Sequence, residues 1–346
     1  MSRINITPEQ FTIIGENIHA TRVLLQKGKR VVTLDDGTEA VPFKGDNGEQ
    51  RHLTVPDWYK KTQPYEQGQI KHFLIAMMKG ISDDANQQEE GAAYIRNEVK
   101  KQIASGADYL DINVDEVHYE VGIQKRCMRW TVETIQAISS VPPCIDSSLS
   151  EIISEGLSSY DGRAGRPLVN SVAFERLDAL DMALEHDARI MVMATSATGM
   201  PQDAADRVTN VKGIMEHVTG KGVSLKDVFV DAIVFLISVD PQNGNHYFNA
   251  VRSLREIYGS DIHIGGGLSN VSFGMPKRSL INKTFIYLAL EAGIDSGIVD
   301  PLNTKLDLVS NLDIESEPVK LTLDMLTGND EFCTNYIMAF RDGKLG

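Results

Sequence analysis

Eight short apolar segments alternate with helical segments along most of this chain, and this alternation limits the possible folds more than any other feature. The apolar segments have the length of buried strands, and the segments between them carry apolar residues at helical spacing. The predicted strands are 12–14, 109–113, 143–146, 168–171, 189–194, 228–231, 262–265 and 296–300. The predicted helices are 87–105, 125–139, 149–158, 175–186, 204–221, 245–258 and 280–292, followed by a helical tail from about Pro318. Strands separated by helices pair in parallel through right-handed crossovers, so an α/β fold is predicted.

The number of strands favours one closed (β/α)8 TIM barrel over two smaller sheets. A barrel of this type needs eight strands and typically about 250 residues, which this chain of 346 residues can supply. Two dinucleotide-binding halves would usually show a GxGxxG turn near the start, and this chain has none there. We therefore predict a single barrel domain over residues 1–346.

Residues 22–71 interrupt the alternation and are predicted to be an N-terminal insertion. The Asp-Gly pair at 36–37 stands between two apolar runs, which predicts a β-hairpin. The aromatic residues Trp58, Tyr59 and Tyr65 are costly to leave exposed. The insertion is therefore expected to be ordered against the barrel or against a partner.

Composition excludes several classes of partner. The net charge is −14 at pH 7 without any basic run, so nucleic acid and anionic membranes are poor partners. Cys127, Cys144 and Cys333 lie far apart without a CxxC pair, so neither a disulfide framework nor a thiolate metal site is expected. The sequence shows no signal-peptide pattern and no apolar run of about 18 residues. A cytoplasmic protein that binds no metal itself is expected.

Polar residues follow almost every predicted strand, where barrel enzymes place their active-site residues. They are Glu16, Asn17, Asp111, Asn113, Asp146, Asn170, Thr195, Asp231, Asn270 and Asp300. Each Asp could instead cap the next helix. A converging set of carboxylates and carboxamides also suits a flat heterocycle with an amino-pyrimidinone edge, because Asp accepts paired N–H bonds and Asn both donates and accepts. His19 and His118 fall near the same face, and we interpret them as surface or core histidines.

Three consecutive glycines, 265–267, precede the last asparagine of this set. Glycine allows positive φ and lets a flat ligand approach the backbone, although an ordinary turn is equally compatible. The nearby string Asp261–Gly266 matches a short cobalamin-binding D-x-H-x-x-G pattern. His263 lies within a predicted strand, however, and no later glycine pair follows, so we do not expect it to bind cobalt.

Seven short motifs, taken in order, resemble one known family. They are 14–18 (IGENI), 107–113 (ADYLDIN), 144–147 (CIDS), 169–171 (VNS), 199–201 (GMP), 230–231 (VD) and 267–272 (GLSNVS). The chain resembles the methyltetrahydrofolate:corrinoid-protein methyltransferases, a pterin-binding, dihydropteroate synthase-like family, over about residues 10–345 apart from the insertion. The resemblance implies a cytoplasmic homodimer that moves the N5 methyl group between methyltetrahydrofolate and the cobalt of a corrinoid on a separate protein. It also implies a place in one-carbon metabolism such as O-demethylation.

The resemblance also assigns roles to individual residues. Asp146, Asn170 and Asp231 match the residues that hold the pterin ring, and Asp111 and Asn113 match positions beside it. Asn270 matches a mobile asparagine near N5, so Asn270 and Asp231 are the catalytic candidates. The remaining binding candidates are Gly267 and Ser269 of the same motif, with Arg207 and Arg278 near the mouth for an anionic glutamate tail. Phe273–Pro276 departs from the polar residues that some members carry there.

Two alternatives remain open at this point. A dihydropteroate synthase-type enzyme would need cations for a leaving diphosphate after the seventh strand, where this chain has Ser269–Ser272, with Lys277 and Arg278 further on. A non-catalytic pterin- or corrinoid-binding subunit would not need the asparagine near N5, yet Asn270 is present.

Overall fold

Eight strands form the main sheet, and all eight coincide with predicted strands. The computed structural model of the chain describes residues 10–345, leaving out the side chains of 307 and 308. The strands are β1 (Thr12–His19), β2 (Tyr109–Asn113), β3 (Pro143–Asp146), β4 (Leu168–Val172), β5 (Arg189–Met193), β6 (Val228–Asp231), β7 (His263–Gly265) and β8 (Ser296–Val299). The ends of the predicted domain, 1–9 and 346, lie outside the described residues.

The strand order is that of a (β/α)8 barrel. The sheet runs β7-β6-β5-β4-β3-β2-β1-β8, so each strand neighbours the next one in sequence and β8 returns to β1. Backbone bonds also join the free edges of β7 and β8. The Asp295 N–H donates to the Ile264 carbonyl at 3.1 Å, and the Ile298 N–H donates to the Gly266 carbonyl at 2.9 Å. The predicted (β/α)8 fold is therefore confirmed as a nearly closed barrel.

The strands form because their side chains are buried on both faces. Every residue of β2 and of β4 is buried, which is the pattern of a parallel strand covered by helices on one side and packed in the barrel on the other. β1 is longer than the predicted 12–14. Glu16 and Asn17 lie inside it rather than in a loop after it, because the buried residues Ile14 and Ile18 continue the strand on both sides of them.

Most helices agree with the predicted ones within four residues. The helices are Gln63–Glu66, His72–Gly80, Ala85–Ala104, Val121–Gln136, Ser150–Ser159, Asp178–Glu185, Ala204–Gly220, Asn243–Tyr258, Arg278–Ala292, Leu306–Ser310, Glu317–Leu326 and Thr334–Arg341. His72–Gly80 was not predicted, because eight of its nine residues are buried and a helix buried all round shows no amphipathic period. It packs closely on the next helix: a Cβ on Gly91 would lie 2.3 Å from the Ala76 carbonyl oxygen.

The segment 22–71 is ordered and contains the predicted hairpin. Val32–Thr33 pairs antiparallel with Glu39–Lys44, which in turn pairs with Gln50–Thr54. Val23–Leu25 pairs with Gln69–Lys71 as a separate two-stranded ribbon. That the segment is an insertion relative to the family stays a prediction.

Polar and aromatic contacts hold this segment to the helix Ala85–Ala104. The buried Lys79 ammonium contacts Glu90, whose Oε1 also accepts the Thr54 N–H at 2.6 Å. The rings of Phe43 and Tyr94 meet edge to face at 5.2 Å. The expectation that the segment packs against the rest of the chain is therefore confirmed for these residues.

The chain divides into two compact units, which are described separately below. The N-terminal unit comprises Gly15–Asn170 and Asp181–Ala188. The C-terminal unit comprises the residues up to Ile14, Ser171–Leu180 and the chain from Arg189 onward. The single-domain prediction is not tested by this division and stays a prediction.

Candidate pterin-binding active site

Three polar residues form one rung across β2, β3 and β4 in the N-terminal unit: two end β2 and β3, and the third lies in the middle of β4. Asn113 pairs in register with Asp146, and Asp146 pairs with Asn170. The Asn113 amide Nδ2 donates to Asp146 Oδ2 at 2.9 Å, and its Oδ1 accepts the Asp115 N–H at 3.1 Å. Asn113 and Asn170 are buried, while Asp146 keeps partial exposure. The rung therefore offers an oriented carboxylate between two carboxamides.

Asp111 lies two residues before Asn113 on β2 and contacts Asn170 of this rung. Its carboxylate accepts from the Cys144 thiol and, at 3.5 Å, from the Asn170 amide. Burial raises the pKa of Asp111 to about 6, although both hydrogen bonds act in the opposite direction. The side chain is almost fully buried, so it positions Asn170 rather than facing solvent.

The end of β1 and the loop after it bring a histidine and an arginine to the same region of the N-terminal unit. His19 Nε2 lies 3.9 Å from Asp146 Oδ2. Arg22 donates to Glu16 Oε1 at 3.0 Å and also to the Asn17 carboxamide oxygen. Glu16 and Asn17 are thus held by Arg22. Sequence reasoning missed the proximity of His19 to Asp146, because it ended the first strand at residue 14, whereas β1 continues to His19.

In the C-terminal unit, Asp231 ends β6 and packs directly against the glycine run. Its Oδ1 accepts the Ile233 N–H at 2.7 Å. A Cβ on Gly266 would lie 2.3 Å from that same oxygen, and Gly266 has a φ of +135°, so both space and backbone conformation require glycine there. Burial raises the pKa of the Asp231 carboxyl to about 6, and nearby Arg207 opposes this rise.

Asn270 lies in a short 3-10 turn, Leu268–Ser272, that follows the glycines. A Cβ on Gly267 would lie 2.8 Å from the Asn270 amide nitrogen, so the side chain folds back over the Gly267 backbone. Asn270 is exposed, and within residues 10–345 its carboxamide makes no hydrogen bond to another residue. An exposed carboxamide without protein partners is available to a ligand.

Arg278 closes this turn from its other side. The guanidinium donates to Ser272 Oγ and to the Ser269 carbonyl, both at 3.0 Å, and lies over the exposed Phe273 ring at 4.9 Å. Arg278 itself is exposed at the first position of the helix Arg278–Ala292. It is therefore compatible with the predicted contact to an anionic tail, whereas Ser269 contributes its backbone carbonyl to the turn.

Arg207 does not lie where the resemblance implies. Its side chain is fully buried instead of facing an anionic tail at the mouth. The guanidinium donates to the carbonyls of Ala232 at 2.9 Å, Asp203 at 2.8 Å and Ile233 at 3.2 Å. Ile233 has a φ of +60°, which is strained for a β-branched residue. Arg207 therefore holds the strained loop that follows Asp231.

Arg207→Met is expected to lower the free energy of unfolding by about 3 kcal/mol or more, because buried carbonyls lose charge-assisted hydrogen bonds. The matched control Arg278→Met removes an exposed guanidinium and is expected to change stability by less than about 1 kcal/mol. Urea unfolding of both variants measures the difference. A stable Arg207→Met variant with weakened folate binding would restore the tail-binding role and contradict the structural one.

Two other predicted strand ends contribute polar atoms in the C-terminal unit. The Thr195 hydroxyl, after β5, is buried and has no hydrogen-bond partner among the described residues. Asp300, after β8, accepts the Leu302 N–H at 3.0 Å and so stabilises its own turn. This is a turn bond and not a helix cap, because the next helix begins only at Leu306.

No metal cluster accompanies these carboxylates in the described part of the chain. Among residues 10–345, no group of three or more His, Cys, Asp or Glu side chains could hold a metal ion. Over the same range, each helix is either too short or too polar to cross a membrane.

Comparison with known proteins identifies the class to which this fold and these residues belong. The chain belongs to the family of pterin binding enzymes, whose sequence profile matches residues 81–300. This confirms the resemblance drawn from the seven motifs, and with it the prediction of an enzyme.

Individual relatives narrow this class. The chain is 31% identical over 265 residues to a methylcorrinoid:tetrahydrofolate methyltransferase of Eubacterium limosum, which covers 75% of this chain and 91% of that protein. It is 29% identical over 215 residues to a methionine synthase of Mycobacterium tuberculosis, covering 58% of this chain and 17% of that protein. Dihydropteroate synthase from Stenotrophomonas maltophilia shares the fold, with a TM-score of 0.52, 17% identity, and coverage of 65% of this chain and 87% of that one.

Proposed function

We propose that this chain transfers the N5 methyl group between methyltetrahydrofolate and the cobalt of a corrinoid carried by a separate protein. The observation that carries the proposal is the similarity to the Eubacterium limosum protein, whose name gives a methylcorrinoid and tetrahydrofolate as its substrates. That similarity extends over three quarters of this chain and nearly the whole relative. The polar residues at the strand ends fit the same substrate chemistry.

In this proposal, the residues that hold the pterin ring are the three to which the resemblance gives this role: Asp146, Asn170 and Asp231. Asp146 and Asp231 accept N–H groups of the ring, and Asn170 both donates and accepts. Asn113 fixes the orientation of Asp146 through the 2.9 Å bond, and Asp111 supports Asn170. A buried or half-buried carboxylate already oriented by the protein loses little freedom when it binds the ring.

Asn270 assists the chemical step. A tertiary amine is a poor leaving group, so positive charge at N5 must be stabilised as the N–C bond breaks. The Asn270 carboxamide oxygen accepts a hydrogen bond from the protonating N5, and its lack of protein partners leaves it able to do so. Gly267 provides the backbone surface over which this side chain lies, and Ser269 with Arg278 holds the turn. The proton comes from solvent.

One experiment tests the function directly. The purified protein is mixed with methyltetrahydrofolate and a reduced corrinoid protein, and the loss of the Co(I) absorption is followed. Co(I) loss that depends on this protein supports the methyltransferase. Stable Co(I) in the presence of bound methyltetrahydrofolate would instead favour a non-catalytic pterin-binding subunit.

Folate affinity is expected to fall as the pH decreases from 7 to 5. The pKa of Asp231 is raised to about 6 in the free protein, so acid protonates the carboxylate that should accept ring N–H groups. Below that pKa, affinity should fall by up to about tenfold per pH unit.

In Asp231→Asn the fall in folate affinity should be smaller, because the residue no longer titrates. The buried Asp111 also has a pKa of about 6, so Asp111→Asn is measured in parallel by the same fluorescence titration. An unchanged slope in Asp231→Asn would remove Asp231 from ring binding.

Several accompanying features belong to the same proposal. The protein acts as a cytoplasmic homodimer in one-carbon metabolism, for example in O-demethylation, and binds no metal of its own. Light scattering of the purified protein tests the dimer, and metal analysis tests the last point. A stoichiometric cobalt or zinc ion would contradict it.

A further inference from the structure

His19, the last residue of β1, lies beside the rung of the N-terminal unit. The proposed function assigns it no role. Its Nε2 is 3.9 Å from Asp146 Oδ2, and the two side chains are 27% and 22% exposed. Both side chains are therefore partly accessible to solvent.

The hydrogen bonds of the ring fix which nitrogen carries the proton. The Thr21 backbone N–H donates to His19 Nδ1 at 3.2 Å, and the Thr21 hydroxyl lies 2.8 Å from the same atom. Because a backbone N–H can only donate, Nδ1 must be the acceptor, and the proton of the neutral ring is on Nε2. Burial lowers the pKa of His19 to about 4, so the ring is uncharged at neutral pH. The charged groups that face it are Asp115, Arg22, Glu116 and Lys71.

The Nε2–H of His19 has no hydrogen-bond partner within the described residues. The distance of 3.9 Å to Asp146 is too long for a hydrogen bond, and no other described residue accepts one from this atom. The protein therefore presents an unused N–H donor next to a carboxylate acceptor. The carboxylates around the rung can only accept hydrogen bonds. The His19 Nε2–H can instead donate one, so it can bind an acceptor atom of a ligand.

We propose that His19 is a ligand-binding residue whose Nε2–H donates to an acceptor atom of the bound heterocycle, adjacent to the N–H that Asp146 accepts. A reduced pterin has edges of this kind, because its N–H groups alternate with a ring nitrogen or an oxo group that accepts. The inference rests on the proposed function, since it takes the pterin as the ligand of this rung.

His118 provides a matched control in the loop after β2. Its Nδ1 also accepts the backbone N–H two residues later, from Glu120 at 3.0 Å, so it carries its proton on Nε2 like His19. Its ring stacks on Tyr119 at 4.3 Å. The two histidines thus share a tautomer and the bond from a backbone N–H two residues ahead, whereas His19 lies beside a rung carboxylate.

The test uses protein with ¹⁵N-labelled histidine and tetrahydrofolate, which cannot turn over without a corrinoid. Ring spectra are recorded with and without ligand, and His19→Gln identifies the His19 signal. On saturation, the Nε2–H signal of His19 should move downfield and exchange more slowly, while that of His118 stays unchanged.

His19→Ala should weaken tetrahydrofolate binding about 3- to 10-fold, the effect of one neutral hydrogen bond. His19→Gln should recover part of this loss, because its amide N–H reaches a similar position, and His118→Ala should bind like wild type.

The outcomes separate this inference from the proposed function. Tetrahydrofolate that binds to wild type without moving the His19 signal would overturn the role of His19 and leave the pterin site intact. The absence of any binding to wild type would overturn both. Thermal midpoints of the variants are recorded, and the spectra of the wild-type protein decide the case if His19→Ala does not fold.

Discussion

Replacing Asn270 with alanine is expected to lower kcat for methyl transfer by about 100-fold or more, similar to removing one preorganised polar group from an oxyanion hole. The carboxamide stabilises charge that develops at N5 mainly as the methyl group leaves. Binding of methyltetrahydrofolate should fall much less, because the ring is held by the other strand ends. Single-turnover transfer to a reduced corrinoid protein measures the rate, and a binding titration on the same preparation measures the affinity.

The Asn270 carboxamide forms no hydrogen bond to another described side chain, so its removal should affect catalysis and not stability. Its backbone N–H donates to the Gly267 carbonyl and its carbonyl accepts the Phe273 N–H, and neither bond needs the carboxamide. The thermal midpoint should therefore stay near that of wild type. Asn249→Ala, an exposed asparagine on the helix Asn243–Tyr258, controls for the substitution itself. A folded Asn270→Ala variant with the wild-type transfer rate would exclude Asn270 from the mechanism.

The second large effect is expected in binding. Asp146→Ala and Asp231→Ala each remove an acceptor of ring N–H groups, and one lost charge-assisted hydrogen bond costs about 1.5–3 kcal/mol, or roughly 10- to 150-fold in affinity. Asp146→Ala also leaves the buried Asn113 amide without its 2.9 Å acceptor, so its effect should be at the upper end of this range. A fluorescence or calorimetric titration with methyltetrahydrofolate measures both.

Isosteric variants separate the lost charge from the lost shape. Asp146→Asn and Asp231→Asn keep one acceptor oxygen and should bind with intermediate affinity. Asp35→Ala, an exposed carboxylate in the hairpin turn, should bind like wild type. Unchanged affinity in both alanine variants would contradict the assignment of these strand ends to the pterin.

The sequence by itself determined the succession of strands and helices and the polar residues that follow the strands. These features are encoded locally. A parallel strand buried on both faces is a mainly apolar run, and its polar residues lie toward its carboxyl end, as Asp111 and Asn113 do in β2. For this reason β2, β3 and β6 begin and end where they were predicted, and Asn113, Asp146 and Asn170 were recognised at or near strand ends before their shared rung was known.

Only the tertiary structure decided what surrounds these residues. The helix His72–Gly80 was missed because burial on all sides removes the amphipathic period. Arg207 has the sequence context of an exposed helical cation, yet the carbonyls of Ala232 and Ile233, 25 residues or more along the chain, place it in the interior. The 3.9 Å distance from His19 to Asp146 likewise depends on two strands whose residues are separated by more than 100 positions. Such contacts join residues far apart in the chain, and no local pattern records them.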